Sequence, residues 1–489
     1  MTGRTESLHQ QVRSAVIWRS GSQIIAQMVQ WAATFLVIRI LAPADYGLFA
    51  MAQVILVLLN MLNGYGLASG LIQQKDITQH EIRQLFGMLI LVNAALATAQ
   101  LLLAPLAAIY YRQPMVADML RVQALLYLTT PFIALPYALL SRAMDFSKQA
   151  KVNILASIAS ASTALGGALA GFGVWTLVFA PLVLFAVRAV GMTIAAKSLM
   201  WPSFDFRGAG HLARYGSVMA AGQLFWFIES QADIFIAGRS FDPHMLGIYT
   251  TALFLTQIFV AKIVPPLNEV AFSAYAKLQH DDDAVARAFA RSVRFIMVAA
   301  MPFYLGLAAT AEPLVLTMLG DKWGEAVPAV RLLSLAMPLM TLQVLFSPAC
   351  DARGRPGVSA RNGATGAAIL IVAYLVGVQW GITGLCVSWL IAYPLYLTIS
   401  LWRSLPVIGL SARALFDAIS SSVLAAVSMA IIVSLVDREL PSMAPAPRLA
   451  ILVCVGALAY GGWLALFAKD VLREVRAVIR RQPPMQPAE

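Results

Sequence analysis

The stretch RILAPADYGLFAMA (39–52) returns two hundred positions later as RSFDPHMLGIYTTA (239–252). Arg39, Pro43, Gly47 and Ala52 match Arg239, Pro243, Gly247 and Ala252. Upstream, Gln23 and Phe35 match Gln223 and Phe235, with no gap among the six pairs. Each copy covers the end of one apolar stretch, a turn holding a proline, and the start of the next stretch. A single R-x-x-x-P-x-x-x-G is a weak signal. Six identities at one offset, at equivalent points of the hydropathy pattern, indicate an internal duplication.

Outward from the repeat the chain remains apolar. Of its 489 residues 60% are hydrophobic and 12% charged, against about a quarter charged in an ordinary soluble domain. That excludes a soluble enzyme. The mean hydropathy of +0.75 over the whole length spreads the apolar residues over many spans of roughly 20 residues. Candidate spans fall at 14–38, 48–70, 85–109, 124–140, 152–170 and 175–195, then at 215–236, 246–271, 293–309, 330–346, 364–378 and 382–402, and finally at 418–436 and 449–467. The expected fold is an all-α polytopic membrane protein of about fourteen transmembrane helices. An even number of spans separates the repeats, so both copies keep one orientation about an axis along the membrane normal. This predicts pseudo-symmetric six-helix lobes at 1–200 and 201–410 facing each other across a cleft. Two additional helices at 411–468 and a basic cytoplasmic tail at 469–489 complete the chain. The first span exceeds a signal-peptide core and lacks a small-residue cleavage site, so it is expected to stay as an anchor. Cys350, Cys386 and Cys454 form no metal or disulfide pattern.

Charge sets the expected orientation. With the N-terminus inside, and with Arg294 and Arg331 at span edges counted with their adjoining loops, the inner segments hold 24 of the 35 Lys and Arg and the outer loops 8, the bias of cytoplasmic loops. Both termini are therefore expected in the cytoplasm. The net charge of +11 is topological and dispersed, which argues against nucleic acid as a partner. Residues 469–481 alternate Val and Ile with Arg at helical spacing and read as a helix on the anionic inner leaflet. Asp281, Asp282 and Asp283 read as the N-terminus of a further surface helix.

Charges inside a membrane cost about 2.5–3.5 kcal/mol each and need a partner, water or a task. Arg19, early in the first span, either snorkels to the inner headgroups or lines the cleft. Arg188 lies deep in the sixth span and either contacts backbone carbonyls or meets the cargo. Arg39 and Arg239 stand at outer helix ends, where a cation also favours the helix dipole. Glu229 and Asp233 are four apart on one face of the seventh span. Lys262 and Glu269 are seven apart on one face of the eighth, with Pro265 and Pro266 between them to bend it. These four form a structural ion-pair ladder, or Lys262 holds an anionic group while a carboxylate takes up and releases H+ or Na+. The first lobe has no acid in any predicted span, which favours an anionic cargo. Gln53, Asn60, Asn63, Gln223 and Gln257 would either bind sugar hydroxyls or join helices. Trp18, Tyr46, Tyr110, Tyr111, Trp175, Trp380 and Trp402 read as interfacial anchors. The sequence has no Walker A, no H-E-x-x-H and no nucleophile elbow.

RILAPADYGLFA (39–50), GLASGLIQQ (66–74), RAMDF (142–146), GFGVWTLV (171–178), DIFIAGR with GIYTTA (233–239, 247–252) and LGDKW (319–323) stand in an order and spacing that resembles the polysaccharide transport family. These are the Wzx-like oligosaccharide flippases of the MOP exporter superfamily. The resemblance implies two six-helix lobes plus two helices in the bacterial inner membrane. It also implies translocation of undecaprenyl-pyrophosphate-linked repeat units for lipopolysaccharide or exopolysaccharide synthesis, with no cofactor beyond H+ or Na+ coupling. Expected partners are the lipid-linked oligosaccharide, the bilayer, and the polymerase and glycosyltransferases of the same pathway. By resemblance the pyrophosphate falls to basic residues of a central cavity, for which Arg19 and Lys262 are the matching positions, with Arg188 and Arg39 beside them. Other readings stand open, among them a scaffold without transport. A multidrug or cation exporter of the same superfamily would present acids to its cargo, and a polysaccharide polymerase or ligase would carry a large catalytic outer loop.

Overall fold

The structure is a computed structural model. It describes residues 8–63, 77–205, 224–470 and 473–474, excluding the side chains of 8–20, 22–24 and 224–226. Among the described residues every regular element is a helix. In chain order these are α1 (Leu8–Ile40), α2 (Pro43–Asn60), α3 (Gln79–Tyr111), α4 (Pro114–Gln123), α5 (Leu125–Thr129), α6 (Pro131–Arg142), α7 (Phe146–Leu169), α8 (Trp175–Ala196) and α9 (Leu224–Ser240). There follow α10 (Pro243–Lys262), α11 (Val264–Leu278), α12 (Asp282–Ala309), α13 (Ala311–Met318), α14 (Val327–Val344), α15 (Phe346–Ala352), α16 (Pro356–Gly377), α17 (Gly381–Ile408), α18 (Ala412–Glu439) and α19 (Pro445–Phe467).

Proline opens many of these helices: Pro43, Pro114, Pro131, Pro243, Pro356 and Pro445 each hold the first position. There its fixed φ suits the helix and its missing N–H costs nothing. Side chains cap others. Thr78 accepts from Glu81 N at 3.2 Å while Glu81 Oε2 accepts from Thr78 N at 2.7 Å, a reciprocal box. Asp145, Asp281 and Ser411 accept from the amides of Lys148, Ala284 and Ala414. Asp281 thus starts α12 itself. The acidic triplet opens one continuous helix that runs on into the membrane-length apolar segment, and no separate surface helix forms there. The expected amphipathic helix at 469–481 lies mostly outside the described residues.

Eleven helical stretches among the described residues are long and apolar enough to cross a membrane. One of them, Pro356–Ile408, is 53 residues long. It is broken at the 3-10 turn Val378–Trp380, where α17 folds back on α16, so it holds two passes. Large apolar side chains point outward along these helices, Leu102 69%, Ile194 70% and Leu458 77% exposed. In water such a surface would aggregate; in a bilayer it meets acyl chains.

The chain divides into two compact units, Met1–Gly247 and Ile248–Glu489. In the first, α1 packs on α7, α7 on α8, α3 on α4, α6 on α8, and α2 on both α4 and α9. In the second, α12 packs on α14 and α18, α17 on α14 and α16, and α19 on α18 and α13. Arg448 joins three helices of this second unit. It pairs with Asp437 at 2.7 and 2.9 Å and with Glu312 at 3.3 Å.

The duplicated turn packs against its own copy within the first unit. A Cβ on Gly47 would overlap the carbonyl of Pro243, and a Cβ on Gly247 would overlap the carbonyl of Pro43. Only glycine lets two backbones pass this closely. Gly47→Val and Gly247→Val are therefore each expected to abolish or strongly lower the thermal unfolding transition of the purified chain, whereas Gly166→Ala, in open space on α7, should leave it within about 1 kcal/mol.

Asp145 yields a second expectation. Its hydrogen bond and 2.7 Å ion pair with Lys148 hold the carboxyl below the ordinary carboxylate value. The resulting stabilisation is present above that ordinary value and is lost as pH falls through the depressed one. Asp145→Ala should cost about 1 kcal/mol at neutral pH and flatten the acid limb of a melting-temperature profile.

Candidate functional site

Most of the charged residues singled out from the sequence lie on α1, α8, α9, α10 and α11. On α9, Glu229 is half-buried and Asp233 is 1% exposed. One turn on, Ala237 is fully buried, so the face that carries both acids is a packed one. The next residue, Gly238, is tight against α3 and α2. A Cβ there would stand 2.7 Å from Tyr111 Cε1 and 3.4 Å from Met51 Cγ. The helix is thereby held by its glycine on the aromatic end of α3, with Asp233 fixed little more than one turn away.

Arg239, which ends the second copy of the repeat, is engaged. Its Nη1 donates to the carbonyl of Tyr110 at 2.7 Å and its guanidinium lies 5.7 Å from the centre of the Tyr110 ring. The carbonyl belongs to the last turn of α3, where a cation is favoured by the orphan C=O groups. Tyr110 in turn stacks on Phe235 with centroids 4.5 Å apart and donates its hydroxyl to the Phe235 carbonyl at 3.3 Å. The sequence reading of Arg239 as a dipole cap holds, though the helix capped is a neighbour and not its own. Its equivalent Arg39 is exposed and makes no hydrogen bond or ion pair among the described residues. The two arginines of the repeat therefore have different surroundings.

Tyr111 corrects the interfacial reading. It is 3% exposed, edge-on to both Tyr110 at 4.9 Å and Phe235 at 6.3 Å, and so belongs to the core. Trp380 and Trp402, 67% and 76% exposed, keep the placement expected of anchors.

Lys262 and Glu269 are both exposed, on either side of a break. α10 ends at Lys262, the Ile263 amide still donates to the Phe259 carbonyl at 2.9 Å, and α11 begins at Val264 with the two prolines in its first turn. Pro265 and Pro266 have no N–H, so the carbonyls of Ala261 and Lys262 lose their i+4 donors. The two residues therefore do not share one unbroken helix. Lys262 stands instead at a helix C-terminus, beside carbonyls that attract a cation.

Arg188 sits half-buried midway along α8. α1 carries position 19, but the Arg19 side chain lies outside the described residues, as do Gln223 and the segment 66–74. Of the amides, Gln53, Asn60 and Gln257 are half-buried. Asn63 is 7% exposed, and its carbonyl accepts from Asn93 Nδ2 at 3.0 Å, which is a helix-joining contact. Sequence reading missed the buried aromatic cluster of the second unit, in which Trp389 Nε1 donates to Tyr249 Oη at 3.0 Å and stacks on Tyr393 at 5.1 Å. An indole and a phenol near the centres of apolar windows were its only trace. No group of three or more His, Cys, Asp or Glu side chains among the described residues could hold a metal ion.

The profile of a family described as Polysaccharide biosynthesis protein matches residues 36–328. The chain is similar to the teichuronic acid biosynthesis protein TuaB of Bacillus subtilis, 24% identical over 473 residues that cover 93% of this chain and 95% of that one. It is also similar to the succinoglycan biosynthesis transport protein ExoT of Rhizobium meliloti, 27% identical over 320 residues and 65% of each chain. Among solved structures, the lipid II flippase MurJ in an inward closed conformation shares its fold with a TM-score of 0.75 at 12% identity, over 93% of this chain and all of that one.

The unequal engagement of the two repeat arginines predicts unequal costs. Arg239→Ala should lower stability by about 1–2 kcal/mol through the lost charged hydrogen bond, whereas Arg39→Ala should change it by less than about 0.5 kcal/mol, both read from thermal unfolding in detergent.

Proposed function

The chain belongs to the polysaccharide biosynthesis protein family, and from that premise we propose that it is a flippase. Its cargo is an oligosaccharide repeat unit on undecaprenyl pyrophosphate, carried from the inner to the outer leaflet of a bacterial inner membrane. It is a transporter and not an enzyme. The observation that carries this reading is the near full-length similarity to a protein of surface-polysaccharide biosynthesis, on a chain built of membrane-length apolar helices. The name of the second relative adds transport to biosynthesis.

The physical task is to move a doubly charged head through hydrocarbon. Bare transfer of an isolated charge costs tens of kcal/mol in a Born estimate, so a hydrated cationic lining has to replace bulk water. Arg19, Lys262, Arg188 and Arg39 are the residues proposed to supply it, while the polyprenyl tail stays in lipid. We take the chain to cross the membrane fourteen times, as two six-helix lobes and two further helices, with both termini in the cytoplasm. Alternating access exposes the lining to one leaflet at a time, and the break between α10 and α11 offers a point of bending.

Coupling is assigned to Glu229, Asp233 and Glu269. The burial of Asp233 supports this role, since protonation removes the cost of keeping its charge out of water. The membrane potential offers about 2.3 kcal/mol per charge per 100 mV. Glycosyltransferases would load the carrier on the inner side and a polymerase would receive it outside.

Proteoliposomes holding a fluorescent lipid-linked oligosaccharide test the reading. Leaflet transfer above that of protein-free vesicles, without lengthening of the sugar chain, is the expected result. Arg19→Ala with Lys262→Ala should slow transfer at least about tenfold, equivalent to about 1.4 kcal/mol. Glu229→Gln, Asp233→Asn and Glu269→Gln together should remove its dependence on the ion gradient. Chain lengthening, or transfer no faster than in empty vesicles, would overturn the proposal.

A further inference from the structure

A cavity of about 760 Å³ in the second unit lies where the α11–α12 turn, the α15–α16 turn and the end of α17 converge, lined among others by Gln279, Asp282, Arg353, Arg355, Arg361 and Val407. Arg353 holds its walls together. Its Nη1 donates to the Gln279 carbonyl at 2.6 Å, its Nε to the Val407 carbonyl at 3.3 Å, and its Nη2 pairs with Asp282 Oδ1 at 2.5 Å. That pairing consumes one cation and the acid of the lining. Two arginines are left over. Arg361 gives only its Nε, to the Gly357 carbonyl at 3.1 Å, and the Arg355 guanidinium makes no hydrogen bond or ion pair among the described residues. Two nearby acids are committed elsewhere, Asp351 accepting the hydroxyls of Ser347 and Ser359 and Asp281 capping α12, while Asp283 beside them is exposed.

The turn that carries Arg355 has a counterpart in the first unit. Between α6 and α7, Met144 has φ 54°, and the amides of Met144 and Asp145 donate to Ser141 and Leu140. Between α15 and α16, Gly354 has φ 69°, and the amides of Gly354 and Arg355 donate to Asp351 and Cys350 in the same pattern. In the first turn the residue opening the helix is Asp145, which binds the amide of Lys148 and pairs with its ammonium. In the second it is Arg355, with no side-chain cap. A cation where the backbone favours an anion is unfavourable on its own. A phosphate oxygen in the cavity would stand where the Asp145 carboxylate stands, with Arg355 and Arg361 beside it.

We propose that this arginine-lined cavity binds a phosphate group, brought either by the headgroup of an anionic phospholipid or by a soluble phosphorylated molecule. In the orientation expected from the basic bias of the loops the cavity falls on the cytoplasmic side, where basic pockets between membrane helices take up such groups. The site is separate from the residues assigned to transport, and the proposal does not rest on the transport reading.

The test uses the full chain in an uncharged detergent and follows thermal unfolding. One arm titrates phosphatidylglycerol against phosphatidylcholine of the same acyl chains, and the other titrates inorganic phosphate against chloride at equal ionic strength. Stabilisation by phosphatidylglycerol alone identifies a lipid headgroup, and stabilisation by phosphate as well identifies a soluble source. In either case Arg355→Gln with Arg361→Gln should weaken the apparent affinity roughly fivefold for each guanidinium removed. Arg355→Asp, which copies the self-capped turn of the first unit, should lose the response without a lower melting temperature in its absence. Equal responses from the wild-type chain and both variants, or no response from the wild-type chain to either anion, would overturn the proposal.

Discussion

At Gly47 and Gly247 two backbones pass with no side chain between them, and the arrangement around α9 depends on that approach. In a membrane there is little hydrophobic gain in bringing helices together, because lipid is as apolar as a leucine side chain. Association must come from close packing. The reciprocal overlap, each glycine facing the carbonyl of the other copy's proline, is the tightest form that packing can take. It lies a few residues beyond Arg239 and Gly238, which set α9 against the aromatic end of α3, and those contacts in turn fix where Asp233 is buried.

The charges inside the apolar helices follow from the same economy. Arg239 is satisfied by a carbonyl and an aromatic face, Arg448 by two carboxylates, and Arg353 by two carbonyls and an acid. These are structural placements. Lys262 at the broken helix is placed differently, exposed at the end of α10. A protein that moves a phosphorylated lipid needs both kinds, one to hold the helices and one to stand in for water.

Much of the helical architecture was legible from hydropathy and proline positions, since a chain of this composition in a bilayer has no alternative to closing its backbone hydrogen bonds within helices. The windows read at 85–109, 175–195 and 418–436 coincide with α3, α8 and α18 to within several residues. Helix ends were less legible where an apolar window and a polar cap belong to the same helix. α12 begins at Asp282 because Asp281 caps it, although its apolar stretch starts eleven residues later. The double proline at 265–266 was visible, but the separation of Lys262 and Glu269 onto two helices required the backbone. Of the candidate site, the residue types were readable and the environments were not. Arg39 and Arg239 hold equivalent positions of the repeat yet differ in contacts, and Tyr111 looked like an anchor while being core.

The sequence by itself determined that this is a many-helix membrane chain with a motif repeated at a fixed offset, because hydropathy and proline act locally and need no partner to take effect. Only the tertiary structure decided which glycines touch, which arginines are already paired and which cavity keeps two of them unpaired. Those outcomes depend on residues far apart in the chain meeting in space, and no periodicity or spacing encodes them.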